Sequence, residues 1–466
     1  MHIARYHRPQ AFRASRHWIP RGPLLAFACA TIGYGMVLTI VLPWSIYDAF
    51  SEGWLGSGWA ITFAIVGAAF MTRWCVIQGL AFWEIDRIRH RAIDQGDCLT
   101  PFVSILVPAH NESQAIIPAI ESLISLNYPA FEVIVVDDGS DDDTFEKAFR
   151  LAGGHGHCTV DVFRKSNGGK ASAMNHAFKA SSGDYILCVD ADSGLERDAL
   201  RLLARRLNEP GVGAVCGQVS IRNRTNLLTR FQAIEYLMGN GGMRTALSTF
   251  GLVTVVPGPI GLYRREVLEE IAQLPVTPAI RTDRHAERGP FSHATFAEDF
   301  QLSLSALALG KRVIYEPRAK AMTKCPDRID ALLSQRYRWI RGTWQVYHVY
   351  LRHLLSASKE KREILNPVMA IIYPIDIYMS PILQFIFWIF LGMAEISGNS
   401  LAIVLSWIGS VVVLNIMAAS IYVIAHDDDF SLLIFVPFLD LYQSLLVNSA
   451  WIIAAIDQFR GARMKW

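Results

Sequence analysis

Apolar positions along the chain fall into two blocks that bracket a long stretch of alternating character. Leu24 to Trp44 (LLAFACATIGYGMVLTIVLPW) holds no charge and has the length that crosses a bilayer core. Trp59 to Phe82 follows after a short link, with Arg73 as its one interior charge, a position expected to meet protein or headgroups. Two N-terminal transmembrane helices are thus predicted over 23–82. No small-residue cleavage site follows the first segment and a second comes at once, which disfavours a removable signal peptide. Beyond Lys361 the chain turns apolar again. Pro374 and Asp376 break the run from Pro367 to Ile377, predicting an interfacial helix that leads into a span through Ile396. Leu401 to Ala425 and Leu432 to Ile456 read as further spans, although Asp440 lies within the last. Residues 366–466 are therefore expected to hold an interfacial helix, about three transmembrane segments and a basic tail.

Between the blocks, from Phe102 to about Leu355, short β-branched runs alternate with longer helical ones. PFVSILVP, FEVIVVDD, TVDVFRK, YILCVDAD and VGAVCGQV read as buried parallel strands. Helices are predicted from near Glu112, Asp141, Gly169 and Glu196. The alternation implies a doubly wound α/β domain over 100–355, with ligands at the carboxyl ends of its strands. Pro108 to Glu112, Asp137–Asp138 and Asp190–Asp192 fall at those ends.

A chain that is 52% hydrophobic yet 18% charged must cluster its apolar residues, as the two blocks do. A net charge of +2 argues against a dedicated nucleic-acid binder, which would show a strong basic excess. The seven cysteines (29, 75, 98, 158, 188, 216 and 325) stand singly with no C-x-x-C pair, which favours reduced thiols over a disulfide framework or a zinc site. Charge asymmetry then sets an orientation. Arg5, Arg8, Arg13, Arg16 and Arg21 precede the first span, and Arg87, Arg89 and Arg91 follow the second. The link between them carries Asp48 and Glu52 and no basic residue. By the positive-inside rule the basic tail, 1–22, and the central domain are cytoplasmic, in a multi-pass protein of the plasma (inner) membrane. The Asn223-Arg224-Thr225 sequon is then inert. Three C-terminal crossings would put Arg460, Arg463 and Lys465 on the other side, so a re-entrant segment stays open as the alternative.

Each candidate motif has a structural reading beside its chemical one. Asp190-Ala191-Asp192 ends an apolar strand, where two carboxylates can share a divalent ion with substrate phosphates. Alone, it is as readily a turn and helix cap. Asp137-Asp138-Gly139-Ser140 reads as a turn with Ser140 capping the helix at Asp141, and that turn can also aim Asp138 at a base. Asn167-Gly168-Gly169-Lys170 opens a helix, where free N–H groups and the Lys170 cation favour phosphate. Glu298-Asp299 follows a polar stretch from Thr282 to His293 and starts an apolar-faced helix. Asp299 can accept a proton from an attacking hydroxyl, with Glu298 orienting nearby groups. Gln335, Arg338 and Trp339 share one face of a helix predicted over 328–350. There Arg338 can neutralise a diphosphate and Trp339 can stack on a sugar, unless the helix merely lies on the membrane surface.

In this order D-D-G, D-x-D, E-D and Q-x-x-R-W resemble the membrane-integrated family 2 glycosyltransferases: cellulose, chitin, hyaluronan and poly-N-acetylglucosamine synthases. The resemblance runs from about Phe102 to Trp344, and the flanking spans agree with it. It implies an α/β GT-A (nucleotide-diphospho-sugar transferase) domain inserted between transmembrane helices, a UDP-sugar donor, Mg²⁺ or Mn²⁺, and inversion of the anomeric carbon. On matching positions, Pro108, His110, Glu112 and Lys170 would belong to the donor site, and Asp138 would contact uridine. Asp190 and Asp192 would hold the diphosphate and metal, and Asp299 beside Glu298 would be the base. Gln335, Arg338 and Trp339 would line the acceptor and diphosphate site. Val212–Val219 and Val256–Leu268 are similar to the N-acetylglucosamine-using branch in particular, which implies UDP-GlcNAc.

Departures from the pattern are His110, where many members carry an aromatic, and Ala297, which replaces the usual Thr. The cellulose-synthase gating-loop signature is missing, and Arg460 to Trp466 could take that role only from the cytoplasmic side. The expected function is a processive synthase that extrudes its polysaccharide through its own spans, with the bilayer and a small membrane subunit as fitting partners. Transfer to a membrane lipid, β-glucan synthesis from UDP-glucose and a non-catalytic export subunit are the rival readings. The full set of carboxylates argues against the last.

Overall fold

The structure, a computed structural model, describes residues 21–51, 56–91, 100–274, 289–292, 295, 297–356, 378, 381–382, 384–386 and 401–462. Two long helices come first, α1 (Arg21–Ser51) and α2 (Gly56–Arg91). There follow β1 (Val103–Ala109), α3 (Ile116–Ile124), β2 (Phe131–Asp137), α4 (Thr144–Phe149), β3 (Gly153–Gly154) and β4 (Cys158–Arg164). Next come α5 (Lys170–Ala180), β5 (Tyr185–Cys188), β6 (Gly194–Leu195), α6 (Ala199–Leu207), β7 (Val212–Ile221) and α7 (Leu227–Glu235). A π-helical turn (Tyr236–Gly241) leads into α8 (Gly242–Ser248), β8 (Gly261–Arg264) and α9 (Arg265–Ala272). The central domain closes with α10 (Glu298–Ala308), β9 (Arg312–Thr323) and the 28-residue α11 (Ile329–Ser356).

Strands β4, β2, β1 and β5 lie side by side and parallel, as their β-branched runs predict. The nine-stranded sheet has the order β3-β4-β2-β1-β5-β8-β7-β9-β6. Val212–Val219, expected as a further parallel neighbour, does not follow β5 directly. Strand β8 intervenes and runs antiparallel to both β5 and β7, so the sheet is mixed. The physical reason is plain: β8 is only four residues, GLYR, and the Pro and Gly residues before it give no strand pattern. Strand β9 then pairs parallel with β7, and β6 antiparallel with β9.

Alternation sorts the strands into two cores. Val103, Ile105 and Val107 of β1 join α3 and α6 on one face, while Leu106 joins α5 and α10 on the other. Each such fully buried aliphatic contributes about 1.5–3 kcal/mol. The first core continues without a break into the long helices, taking in Leu24, Phe82, Ala418 and Tyr422. The central sheet and the apolar helices therefore share one hydrophobic core.

Among the described residues four helical segments are long and apolar enough to cross a membrane: Leu24–Val41, Ile65–Arg89, Ile408–His426 and Phe430–Phe459. Helix α2 covers the expected 59–82 and continues past it through Arg91. A Leu401–His426 helix packs on α1 through Leu38 and Leu414, and Tyr422 Oη donates to Gln78 Oε1 of α2 at 2.7 Å. The last segment is irregular: a 3₁₀ stretch with Pro437 inside (Phe430–Phe438), a short α turn, a π turn (Gln443–Val447) and a final helix (Asn448–Phe459). Asn415 Nδ2 lies 3.4 Å from Asp440 Oδ2 within it. The basic tail before Arg21, the polar stretch at 282–288, the interfacial helix expected over 367–377, most of the span expected up to Ile396, and residues 463–466 lie outside the described residues.

Candidate active site

The carboxyl ends of β1, β2 and β5 enclose an open cavity of about 270 Å³. Pro108, His110, Glu112, Asp138, Lys170, Asp190 and Asp192 all line it. A second cavity of about 20 Å³ adjoins it, walled by Lys170, Asp190, Gly258, Tyr263, Phe291, Glu298 and Asp299. Lys170 and Asp190 border both. The fold thus brings together every donor-side candidate read from the sequence, and sets the acidic pair next to them.

The D-D-G turn is built differently from the expected helix cap. Gly139 takes φ +71°, and a Cβ there would lie 2.8 Å from the Asn167 backbone nitrogen, so only glycine fits. Ser140 does not cap a helix at Asp141. Its hydroxyl accepts from the Asn111 N–H at 2.9 Å and donates to buried Asp137 at 2.5 Å, and α4 begins only at Thr144. This tie holds the β1 loop, with His110 and Glu112, against the β2 loop.

Asp138 is almost wholly enclosed. Its carboxylate accepts from Lys165 Nζ at 2.8 Å, the Gly168 N–H at 3.0 Å and the Gly169 N–H at 2.6 Å. The Gly-Gly amides expected to be free for phosphate are therefore spent on Asp138. What the loop offers the cavity is Lys170 at the start of α5. Asn167 Nδ2 stands 3.4 Å from His110 Nε2 across the rim, a pairing the sequence did not suggest.

Lys170 joins the two cavities. Its ammonium lies 2.8 Å from Asp190 Oδ1 and 3.0 Å from Glu298 Oε1. Burial alone would favour the neutral amine, but Asp190 and Glu298 outweigh it and keep the charge firmly in place. Asp192, whose Oδ1 accepts from Ser193 Oγ at 2.9 Å, is pushed up by burial and by the Asp190 charge. Burial and then Asp192 also push up Glu112. Crowded carboxylate oxygens of this kind fit a hard divalent cation. Mg²⁺ and Mn²⁺ sites of this kind use one or two carboxylates plus substrate phosphates, and Asp190 and Asp192 are the pair that would supply them.

Glu298 and Asp299 occupy the first turn of α10, inside the helix, and Ala297 is the N-cap without a side-chain bond. Asp299 Oδ1 accepts from the Phe300 N–H at 2.7 Å. Burial, then the neighbouring Glu298 charge, pushes its carboxyl up to about 6. That is the range of a working general base.

Residues on α11 divide. Arg338 and Trp339 are exposed and Gln335 is half-buried, and none of the three lines either cavity. Buried Arg336, between them, carries the contacts. One further residue escaped the sequence reading. Asn175, a polar residue on the buried side of α5, donates to the Phe291 carbonyl at 2.8 Å and accepts from the Phe291 N–H at 3.0 Å. It thereby fixes the Phe291 wall beside Asp299. A lone Asn in the apolar-faced run AMNHAF was the available signal.

Residues 104–272 match Glycosyl transferase family 2. The catalytic domain belongs to that family. This glycosyltransferase is 26% identical over 333 residues to a poly-beta-1,6-N-acetyl-D-glucosamine synthase of Staphylococcus aureus (strain COL), covering 71% of this chain and 73% of the relative. The Staphylococcus epidermidis protein of the same name is 30% identical over 261 residues, 56% of this chain and 58% of that one. Among solved structures, the mannosyltransferase PcManGT from Pyrobaculum calidifontis, in complex with GDP-Man and Mn²⁺, superposes with a TM-score of 0.54 at 19% identity. It covers 83% of this chain and 96% of its own, a likeness of fold alone. The fold is GT-A, with apolar helices flanking the glycosyltransferase domain at both ends.

Proposed function

We propose that this glycosyltransferase polymerises UDP-GlcNAc into a β-linked polysaccharide, processively and with inversion, and passes the chain across the membrane between its own helices. The observation that carries the reading is the shared wall of Lys170 and Asp190, which brings the donor cavity to the Glu298–Asp299 pair. The sugar is inferred from the two staphylococcal relatives, and the Arg-rich flanks of the first spans support a cytoplasmic domain.

In this reading the nucleotide lies along Pro108, His110 and Asp138, with its diphosphate reaching Lys170 and Asp190. Asp299 takes the proton from the terminal hydroxyl of the growing chain. That oxygen attacks the anomeric carbon as the bond to UDP breaks, and a single displacement inverts the centre. Lys170 lies where negative charge builds on the leaving oxygen, and Arg338 is assigned to the same diphosphate from the acceptor side. Asp190 and Asp192 would hold Mg²⁺ or Mn²⁺, which supplies further charge neutralisation when bound. Gln335 and Trp339 receive the acceptor sugar.

Membrane vesicles containing the protein, given radiolabelled UDP-GlcNAc or UDP-glucose with Mn²⁺ or Mg²⁺, test this directly. Long polymer from UDP-GlcNAc that disappears with Asp299→Asn is expected. Label confined to an organic-extractable lipid, or polymer from UDP-glucose alone, would overturn the reading.

A further inference from the structure

We propose that Glu235, Arg336 and Tyr442 form a positioning unit through which the segment Phe430–Phe459 sets the acceptor-side residues Gln335 and Trp339. The inference rests on the acceptor role given above to those two residues.

Arg336 is the hub. Its guanidinium is 3% exposed and donates to Glu235 Oε2 at 2.7 Å. Its other terminal nitrogen donates to Gln335 Oε1 at 3.0 Å. Its plane lies 4.4 Å from the centre of the Trp339 ring, closer than its 5.7 Å approach to Tyr236. One cation thus fixes the amide and the indole assigned to the acceptor. A planar guanidinium donates within its plane while its face covers the indole, a geometry that a lysine ammonium does not reproduce.

Glu235 is in turn shared. Tyr442 Oη, from the apolar C-terminal segment, donates to the same Glu235 Oε2 at 2.9 Å. The Tyr442 ring stacks on Phe231 of α7, 5.1 Å between centres and 5° from parallel. The contact therefore joins three elements far apart in the chain: α7, α11 and a segment of membrane-crossing length. Both partners stand at irregular backbone. A π turn begins directly after Glu235, at Tyr236, and another directly after Tyr442, at Gln443. Such turns are uncommon and gather at functional sites. Glu235 and Arg336 also have little access to water, so moving Tyr442 alters a poorly screened ion pair.

A shift of the Phe430–Phe459 segment would accordingly be felt at Trp339 without touching the donor cavity. Removing the link should weaken the grip on the acceptor chain and leave donor turnover intact. The test uses the full-length protein in membrane vesicles, with Tyr442→Phe, Glu235→Gln and Arg336→Lys. Three quantities are read: UDP released, the KM for UDP-GlcNAc, and the length of the product. Tyr442→Phe keeps the ring stack and loses one hydrogen bond to a charged group. It should leave UDP release and donor KM within about twofold and shorten the product roughly tenfold. Glu235→Gln and Arg336→Lys should shorten it at least as much. Unchanged product length with Tyr442→Phe would sink the proposal. So would a parallel fall in UDP release and length, which marks a structural role only. Wild-type protein making no polymer at all would instead remove the underlying reading.

Discussion

In the proposed mechanism the base is a single carboxyl group, Asp299. Its upward shift to about 6 comes from burial first and the Glu298 charge second, with Lys170 opposing both. A base must be ionised to act, so kcat/KM should climb with pH to about 6 and level off above it. Glu298→Gln removes a charge that raises this value, and the acid limb should therefore move to lower pH. A limb that stays put or moves upward would show that another group sets it. Asp299→Asn should cost roughly 10²–10⁴ in rate. Asp138 makes a second residue-scale case. Three donors converge on it, and Asp138→Asn would turn an amide toward a lysine or an N–H that needs an acceptor. The donor KM should rise about tenfold with kcat little changed, measured by initial rates over a range of UDP-GlcNAc. A fall in kcat alone would contradict the view that Asp138 shapes the donor loop.

At the scale of elements, the legible parts were those whose own residues carried the pattern. The runs at β1, β2, β4 and β5 are β-branched and bounded by turns, and α4 to α6 begin within about one turn of the positions expected from sequence. Strand β8 was missed because GLYR has no periodicity long enough to read, and its antiparallel placement is decided by its two neighbours. Strand β9 hides its second half in EPRAKAMT, where a proline and charged residues mask a buried strand. The donor-side residues were visible because each ends a strand. Arg336 was not, since helical spacing put Gln335, Arg338 and Trp339 on one face, while the contacts depend on which residue points back at α7. Asn175 was hidden for a similar reason, its partner Phe291 being 116 positions away. This pairing can be tested as an element-level clamp. Asn175→Ala leaves the buried Phe291 N–H and C=O without their partner and should destabilise the domain by about 1–3 kcal/mol. Asn175→Asp keeps the acceptor but loses the donor and buries a charge, so it should melt at least as low. Thermal unfolding in detergent decides both.

For the whole molecule, the decisive feature is how the catalytic sheet is fastened to the apolar helices. Two kinds of joint do this. Arg224 after β7 pairs with Asp428, and Lys320 Nζ donates to the His426 carbonyl at 2.6 Å, so cations meet the carboxyl end of the Leu401–His426 helix. The other joint is buried. Arg206 of α6 is 5% exposed and lies 3.4 Å from Glu84 of α2 and 3.8 Å from Glu316 of β9, with Glu209 also bound. Arg318 completes the set on Glu316, at 2.7 and 2.8 Å. Burial would raise the Glu316 carboxyl, but Arg318 and Arg206 outweigh it and hold the group below its usual range. A depressed carboxylate contributes stability at neutral pH that is lost as pH falls through its folded value. The joint should therefore weaken only in acid, below the ordinary carboxylate range. Arg206→Met leaves Glu316 with Arg318 and buried Glu84 with the part-exposed Arg87 at 3.2 Å, and should cost up to about 3 kcal/mol. Glu84→Gln in the Arg206→Met background should recover part of that loss, because it removes the buried charge that lost its better-buried partner. Melting temperatures of the wild type, both single variants and the double variant form the cycle that measures it. If the losses simply add, Glu84 and Arg206 are not coupled, and α2 is held to the catalytic domain by its apolar packing alone.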